Sequence, residues 1–585
     1  MANPLVTDDL VDFLLEDVVG LDELLALPHF AEHSRETCGM FVGAARRVAR
    51  EVLFPVYGAM DKAPPHLEGT EVHLHPAMRS AYGALVELGI LSASRGPEVG
   101  GAQLPFTVAA AATTYLMAGN LSVYGVAALT SGAARLIESF GTDEQREVYM
   151  RRMYSGEWAG TMALTEPHAG SSLSDVRTRA EPAGDHYKIS GTKVFISGGE
   201  HDLTENIVHL ALARIDGAPP GTKGVSLFLI PKLRPEGSRW VPNDVTCTGV
   251  FDKVGWKAFP SVQLSYGEAG DCRGWLVGPP NQGLAQMFQL MNEARLMVGM
   301  NGVASASVAH HCSLEYARDR PQGRPLGAKD PRAPQVPIIE HADVRRMLLR
   351  QKAIVDGGLG LLLRTARAAD LAEHAPDAAA RREAHLLLEL LIPIAKTFPA
   401  EYGFEANTLA IQIHGGYGYT KEYLPEAWWR DQKLNTIHEG TSGIQALDLL
   451  GRKVIADGGA AARLLHRTIV EADLGEDLTR AADLWLEVTQ AVAARALTGD
   501  VEGMLRHASD YLQATSILVV AWTLGLHVQG AERAVAAGRR DARLLRGQRA
   551  ASAYWRRTEL VRVAEILGRV RSGEDSYAAL DPADL

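Results

Sequence analysis

Between Gly160 and Gly283 the chain abandons the helical spacing of its apolar residues and then returns to it. Before Gly160, apolar residues recur three and four apart, as in Phe41, Ala44, Val48 and Val52, and again in Met78, Tyr82, Leu85 and Leu88. That spacing collects them on one helix face. Gly96-Pro97 and Gly100-Gly101 interrupt the region as a loop. Beyond Gly160 come short β-branched or aromatic runs bounded by Gly, Asp and Pro: Tyr187 to Ile189, Thr192 to Ile196, Ile207 to Leu212 and Val225 to Ile230. From Gly283 the helical period resumes, strongest from Ile338 to Arg367, with Gly415 to Pro425 as the main loop of that region. A chain of 585 residues exceeds what one core holds. The expected fold is therefore α+β in four parts: an N-terminal helical domain over 1–158, a mostly antiparallel β domain over 159–278, a helical bundle over 279–455, and an extra C-terminal helical bundle over 456–585, broken near Gly475, Gly499 and Gly547.

Composition narrows the function classes. Apolar content of 46% with 22% charged residues is that of an ordinary globular protein. A formal charge of −11 argues against a general nucleic-acid or membrane-surface role. Cys38, Cys247, Cys272 and Cys312 are scattered without CxxC spacing, which suggests neither a disulfide framework nor a zinc site. The first twenty residues are acidic where a targeting peptide would be basic. The longest apolar run, Ile517 to Leu526, is far short of the roughly 20 residues that span a bilayer. These features predict a soluble cytoplasmic protein without a membrane span.

One segment stands out for chemistry, Trp429 to Gln445. Glu439 is followed by Gly440, where the chain can turn and a ligand can approach the backbone. Thr441 and Ser442 are candidate N-caps for the apolar-periodic run Ile444, Leu447 and Leu450. A carboxylate just ahead of a helix start is placed to act as a base, although the same pattern also describes an ordinary capped helix. Leu164-Thr165-Glu166-Pro167-His168-Ala169-Gly170-Ser171 offers hydroxyls, amides and a glycine that could hold a flavin edge and phosphate oxygens, or form a plain surface turn. Arg318-Asp319-Arg320-Pro321-Gln322-Gly323 supplies cations suited to a pyrophosphate, or a solvated helix end. His73 and His75 form an HxH pair and His310-His311 are adjacent, but neither has carboxylate or Cys company at metal-ligand spacing, so no metal is expected. Arg539, Arg540, Arg543, Arg546, Arg549, Arg556 and Arg557 recur at helical spacing and read as a solvated or tail-docking face. No strand-GxGxxG-helix dinucleotide site is present.

The segment around Glu439, with Gln412-Ile413-His414-Gly415-Gly416-Tyr417-Gly418-Tyr419 upstream, resembles the signature of the acyl-CoA dehydrogenase flavoprotein family. The resemblance covers residues 30–455, and helix, β, helix is that family's order of elements. The tail, together with Thr165 to Gly170 and Gly199 to His209, resembles a longer bacterial subgroup that includes 3-methylmercaptopropionyl-CoA and broad-range fatty acyl-CoA dehydrogenases.

The resemblance implies that Glu439 abstracts the α-proton of an acyl-CoA thioester while the β-hydrogen leaves as hydride to N5 of FAD, giving trans-2-enoyl-CoA. It places Leu164 and Thr165 on the flavin ring, Gly170 and Ser171 near the pyrophosphate, Phe195 and Ser197 against the flavin, and Thr441 beside the cofactor. Met162 stands where some members carry Tyr. Arg320 and Gln322 would reach the diphosphate across a subunit interface whose opposite wall is Gln412, Gly415 and Gly416, so a homo-oligomer is implied, with a dimer favoured. Ser171, Asn292, Arg295 and Gly440 would meet the substrate, with a structural ion pair as the rival role for Arg295. Ala294 occupies the position from which some relatives supply their carboxylate, so the base falls on Glu439, and Glu293 reads as a surface residue. Tyr115, Leu116, Tyr124 and Trp428 are candidates for the acyl pocket, and Gly443 replaces a Gln common among relatives. Electrons would pass to electron-transfer flavoprotein. The rival readings are an acyl-CoA oxidase that uses O₂ and a DNA-binding alkylation-response flavoprotein relative.

Overall fold

The computed structural model describes residues 3–325, 327, 330–577 and 580–584, with the side chains of 289–291 excepted. After short N-terminal helical turns come α1 (Arg35–Arg47), α2 (Ala77–Glu87) and the long α3 (Phe106–Phe140). The buried stripe of α1 and the turns after it is Val42, Ala45, Ala49 and Leu53, one residue out of phase with the stripe expected through Phe41, Ala44, Val48 and Val52. The small Ala49 lets the chain approach closely: a Cβ on Gly119 of α3 would lie 2.8 Å from the Ala49 carbonyl. Helix α3 kinks at Asn120, whose Oδ1 accepts from the Ser122 and Val123 amides at 3.2 and 3.3 Å and so caps the second half of the helix.

Besides a small hairpin (Leu233–Glu236 with Arg239–Pro242), eight strands follow: β1 (Ala159–Ala163), β2 (Arg179–Ala183), β3 (His186–Ser197), β4 (Ile207–Ile215), β5 (Val225–Pro231), β6 (Val245–Val250), β7 (Ser261–Tyr266) and β8 (Arg273–Leu276). They form one sheet in the order β6-β7-β3-β8-β5-β4-β1, with β2 joining β3 and β4. All pairings are antiparallel except β1–β4 and β2–β4. The runs Tyr187 to Ile189 and Thr192 to Ile196 belong to a single strand. Its inner faces bury Ile189 and Ile196 with Ala211, Phe228, Val262 and Leu264.

The helices after the sheet are α4 (Gly283–Asp319), α5 (Ala342–His374), α6 (Ala378–His414), α7 (Pro425–Lys433) and α8 (Ser442–Asp448). The longest break among them lies between α4 and α5, not at Gly415 to Pro425. Helix α6 contains Pro393 and Pro399, each lacking the amide that a helix interior uses. Pro399 thereby leaves the Ala395 carbonyl without its usual donor, and α4 presses its backbone there: a Cβ on Gly299 would sit 2.1 Å from that oxygen. The tail adds α9 (Glu476–Leu497), α10 (Ala508–Ala536) and α11 (Ala542–Thr558) among its helices. Breaks occur at Gly475 and Gly499, both with positive φ, but Gly547 lies inside α11, and the turn before that helix is at Gly538 instead. A glycine inside a helix costs only about 1 kcal/mol, which tertiary contacts can override.

The chain divides into two compact units, one of Met1–Cys38, Pro105–Thr114 and Arg295–Leu585, the other of Gly39–Leu104 and Tyr115–Ala294. In the first, α5 meets the tail closely, since a Cβ on Gly357 would touch Val520 of α10 at 2.7 Å. Two helices, Phe106–Phe140 and Val501–Ala536, are apolar and long enough to cross a membrane by composition, but their apolar windows are 94% and 83% buried inside the protein, as in core helices.

Candidate active site

Glu439 lies in the loop between α7 and α8, in a left-handed conformation with φ +53°, and Gly440 follows at φ +88°. For a residue with a Cβ this conformation costs about 1–2 kcal/mol and must be held by its surroundings. Three polar side chains hold it. Gln445 Nε2 donates to the carbonyls of Glu439 and Gly440 at 3.1 and 3.4 Å. Lys396 Nζ, from α6, donates to the carbonyls of Asn435 and Gly440 at 2.7 and 2.9 Å. Thr441 Oγ1 accepts from the Ile444 amide at 3.3 Å as the N-cap of α8. Ser442 donates to Glu401 rather than capping. A side chain at Gly440 would be strained by its φ of +88° and would put a Cβ 2.7 Å from Gln445 Nε2, which would have to shift. Of the expected apolar run, Leu450 is buried while Leu447 is exposed.

The electrostatics of this loop are set by burial against two cations. Burial raises the proton affinity of the Glu439 carboxyl above that of an ordinary carboxylate, opposed by the charges of Arg295 and Lys396. Burial also pushes the Lys396 ammonium down to about 8. His438 is pushed down to about 3 by burial and by Lys396, so its imidazole is neutral across the working range. Arg295 is 2% exposed and pairs with Asp448 at 2.7 Å. Among the described residues, no acceptor takes the Glu439 N–H.

In the other unit, the loop after β1 is tied down from beneath. Val194 N donates to the Thr165 carbonyl at 2.9 Å, and Lys193 Nζ to the Leu164 carbonyl at 3.0 Å. Lys193, fully buried, also pairs with Glu166 at 2.8 Å. Glu166 further accepts from Thr178 Oγ1, Thr178 N and Arg177 N at 2.6, 3.0 and 2.7 Å. This anchor was missed from the sequence, where the one signal was a lysine inside a strand run, a residue rarely buried unless paired. Phe195 has φ +57° and remains 61% exposed, stacked on Phe251 with ring centroids 4.3 Å apart. Ser171 and Gly170 are exposed, and the hydroxyls of Thr165, Ser171 and Ser197 find no partner among the described residues.

The remaining predicted residues sort plainly. Arg320 and Gln322 are exposed after α4, with side chains unpartnered among the described residues. Gln412, Gly415 and Gly416 are exposed at the end of α6, where Gly415 takes φ +60°. Gly418, not singled out from the sequence, is the tight one: a Cβ would lie 2.3 Å from the Ile411 carbonyl. Asn292 is partly buried on α4. Glu293 is no free surface residue, since it forms an ion pair with Arg135. Tyr115, Leu116, Tyr124 and Trp428 are all buried, and Arg46 and Arg50 lie over the Tyr115 ring at 5.1 and 5.7 Å. His73 does have carboxylate company, with Asp202 at 3.2 Å and Glu68 at 3.9 Å, but no group of three or more metal-binding side chains occurs among the described residues. Much of the arginine run is spent internally: Arg539 and Arg540 bind Asp17 at 2.7 and 2.9 Å, Arg549 binds Glu532 at 2.7 Å, and Arg556 pairs with Asp477.

Comparison with known proteins matches four family domains in succession. They are "Acyl-CoA dehydrogenase, N-terminal domain" over residues 35–157, "Acyl-CoA dehydrogenase, middle domain" over 161–266, "Acyl-CoA dehydrogenase, C-terminal domain" over 281–455, and "Acetyl-CoA dehydrogenase C-terminal like" over 453–581. The chain is 38% identical to 3-methylmercaptopropionyl-CoA dehydrogenase of Ruegeria pomeroyi, over 96% of this chain and 97% of the relative. It is 34% identical to the broad-specificity linear acyl-CoA dehydrogenase FadE5 of Mycobacterium tuberculosis, over 86% of this chain and 83% of the relative. In fold it is similar to Caenorhabditis elegans ACDH-11 in complex with C11-CoA, with a TM-score of 0.75 at 19% identity over 96% of this chain and 92% of that one. A Bacillus anthracis acyl-CoA dehydrogenase complexed with FAD superposes with a TM-score of 0.74 at 20% identity, over 97% and 93%. The chain belongs to the acyl-CoA dehydrogenase family of flavoprotein oxidoreductases, which act on CH–CH bonds.

Proposed function

We propose that this protein is an FAD-dependent dehydrogenase that converts an acyl-CoA thioester to the trans-2-enoyl-CoA, with Glu439 as the base that takes the α-proton. The observation that carries this reading is the Glu439 backbone: a carboxylate of raised proton affinity beside its own unclaimed N–H, on a conformation that costs energy to hold. An α-C–H next to a thioester is a very weak acid. The Glu439 N–H can donate to the thioester oxygen and stabilise the charge that develops there. A carboxylate whose proton affinity is shifted toward the working pH accepts the proton more readily than an ordinary one.

The residues of the 164–171 loop and of 195–197 fit a flavin. They offer an exposed aromatic face in Phe195 and three hydroxyls without internal partners, on a loop whose carbonyls are already tied back. Leu164, Thr165, Gly170, Ser171, Phe195 and Ser197 would hold the ring and its phosphates. When bound, FAD supplies the acceptor for the β-hydrogen. The exposed, unpartnered Arg320 and Gln322, and the exposed glycines 415 and 416 beside Gln412, suit contact with a cofactor of a second protomer, which makes a homodimer the favoured assembly. The electron acceptor is electron-transfer flavoprotein, and four free cysteines, three of them buried, suit a reducing cytoplasm.

Replacing Glu439 by Gln tests the reading directly. The variant keeps its FAD but loses at least ~4 kcal/mol of transition-state stabilisation, about a thousandfold in the rate of flavin bleaching by acyl-CoA under anaerobic conditions. Retention of more than about a tenth of wild-type turnover overturns the assignment.

A further inference from the structure

Lys396 is fully buried in the middle of α6, and its ammonium meets no carboxylate within ion-pair distance among the described residues. A buried lysine is costly and is normally paired. Here its partners are two backbone carbonyls, Asn435 at 2.7 Å and Gly440 at 2.9 Å, which bracket the turn that carries Glu439. We infer that Lys396 is a positioning residue: by tying those two carbonyls to one point on α6 it fixes Glu439 in its left-handed backbone conformation. The inference rests on Glu439 being the base.

The other end of the clamp is equally fixed. Asn435 Oδ1 accepts from Asn301 Nδ2 at 2.7 Å, and Asn435 Nδ2 donates to Gln432 Oε1 at 3.1 Å. Gln432 Nε2 in turn donates to the Pro399 carbonyl at 2.8 Å. A turn held in this way at both ends has little freedom to relax. An apolar side chain at position 396 would fill the same space without holding either carbonyl. The charge also matters. The ionisable groups that face the ammonium are Glu401 on its own helix, Glu439, Arg295 on α4 and the neutral His438. Removing Lys396 leaves Glu439 with Arg295 as its only cation of the two, and that one is already paired with Asp448.

The test compares Lys396→Met, Lys396→Gln and Glu439→Gln with the wild-type holoenzyme. The substrate is whichever straight-chain thioester from butanoyl- to palmitoyl-CoA turns over best. Lys396→Met is expected to lower kcat about tenfold or more with KM changed less than about threefold, and to move the acid limb of the kcat/KM profile to higher pH. Amide hydrogen exchange should accelerate at 435–441 and not along α6. Lys396→Gln, which can still donate to one carbonyl, should recover part of kcat but leave the acid limb displaced. It carries the same comparison if the Met variant does not fold. Unchanged kcat, acid limb and exchange overturn the inference, and so does equal loss in kcat and KM with exchange accelerated throughout α6. If Glu439→Gln stays active, it is the base assignment that fails, and the exchange data still decide the clamp.

Discussion

Replacing Lys193 by Met isolates the anchor beneath the 164–171 loop. The Lys193 side chain is inaccessible to solvent and that of Glu166 is 2% exposed, with 2.8 Å between Nζ and Oε1. At an effective dielectric of about 20, two unit charges at that distance attract by about 6 kcal/mol, most of which offsets their desolvation. Removing one partner of a buried pair leaves an uncompensated charge and typically costs about 3–5 kcal/mol. Glu166 keeps its three other donors from Thr178 and Arg177, which places the expected loss at the low end, about 3 kcal/mol. The Leu164 carbonyl also loses its donor, so the loop should bind FAD more weakly. The assay is urea unfolding of Lys193→Met, Glu166→Gln and the double variant, read as a double-mutant cycle. A coupling energy of about 2 kcal/mol is expected. If Lys193→Met costs less than about 1 kcal/mol, or the coupling is near zero, the pair does not anchor the loop.

Gly299→Ala would drive a Cβ to 2.1 Å from the Ala395 carbonyl, with helix backbone on both sides. Thermal unfolding should report a loss of about 3 kcal/mol or more, larger than for the exposed Gly443→Ala. Asp370 caps the N-terminus of α3 through Phe106 N, Thr107 N and Thr107 Oγ1 at 2.8, 2.9 and 2.6 Å. Burial nonetheless pushes its carboxyl up to about 6 from 3.8. The folded chain therefore holds that proton more tightly than the unfolded chain, so the stability it contributes is full below 3.8 and is lost as pH rises through about 6. Asp370→Asn should flatten the pH dependence of the unfolding midpoint across that window, and an unchanged slope would refute the assignment to this group.

Much of this was legible because it is written in periodicity. The change of apolar spacing near Gly160 and Gly283 marks the sheet between β1 (Ala159–Ala163) and the start of α4 (Gly283–Asp319), because alternating and helical patterns cannot exchange faces without burying polar groups. What periodicity cannot resolve is depth. An apolar stripe is wide, so Phe41 and Val42 both look inward; Val42 is the buried one, and close packing against Gly119 selects Ala49 and Leu53. Glycine is equally ambiguous: Gly475 precedes a helix and Gly499 follows one, both with positive φ, while Gly547 continues one. Buried charge was the hardest to read. Lys193 and Lys396 each interrupt an apolar run, yet a long amphipathic side chain in such a run can also reach water. Only the carbonyls and carboxylates that meet them in three dimensions show that they do not.

The two cations near Glu439 oppose the rise in proton affinity that burial imposes on its carboxyl. Burial raises a carboxyl's proton affinity, and a carboxyl that keeps its proton cannot accept another. A nearby opposite charge lowers that affinity. Arg295 shares its charge with Asp448, whereas among the described residues Lys396 hydrogen-bonds only carbonyls, and His438 stays neutral and adds nothing. The net direction at Glu439 is still upward. Since the base must be deprotonated to act, kcat/KM should fall as pH drops through a value above the ordinary carboxylate range. The rise on the alkaline side of that value should vanish in Glu439→Gln. An acid limb at the ordinary glutamate value would mean that the thioester meets a solvated carboxylate, and that burial of this loop has no part in the chemistry.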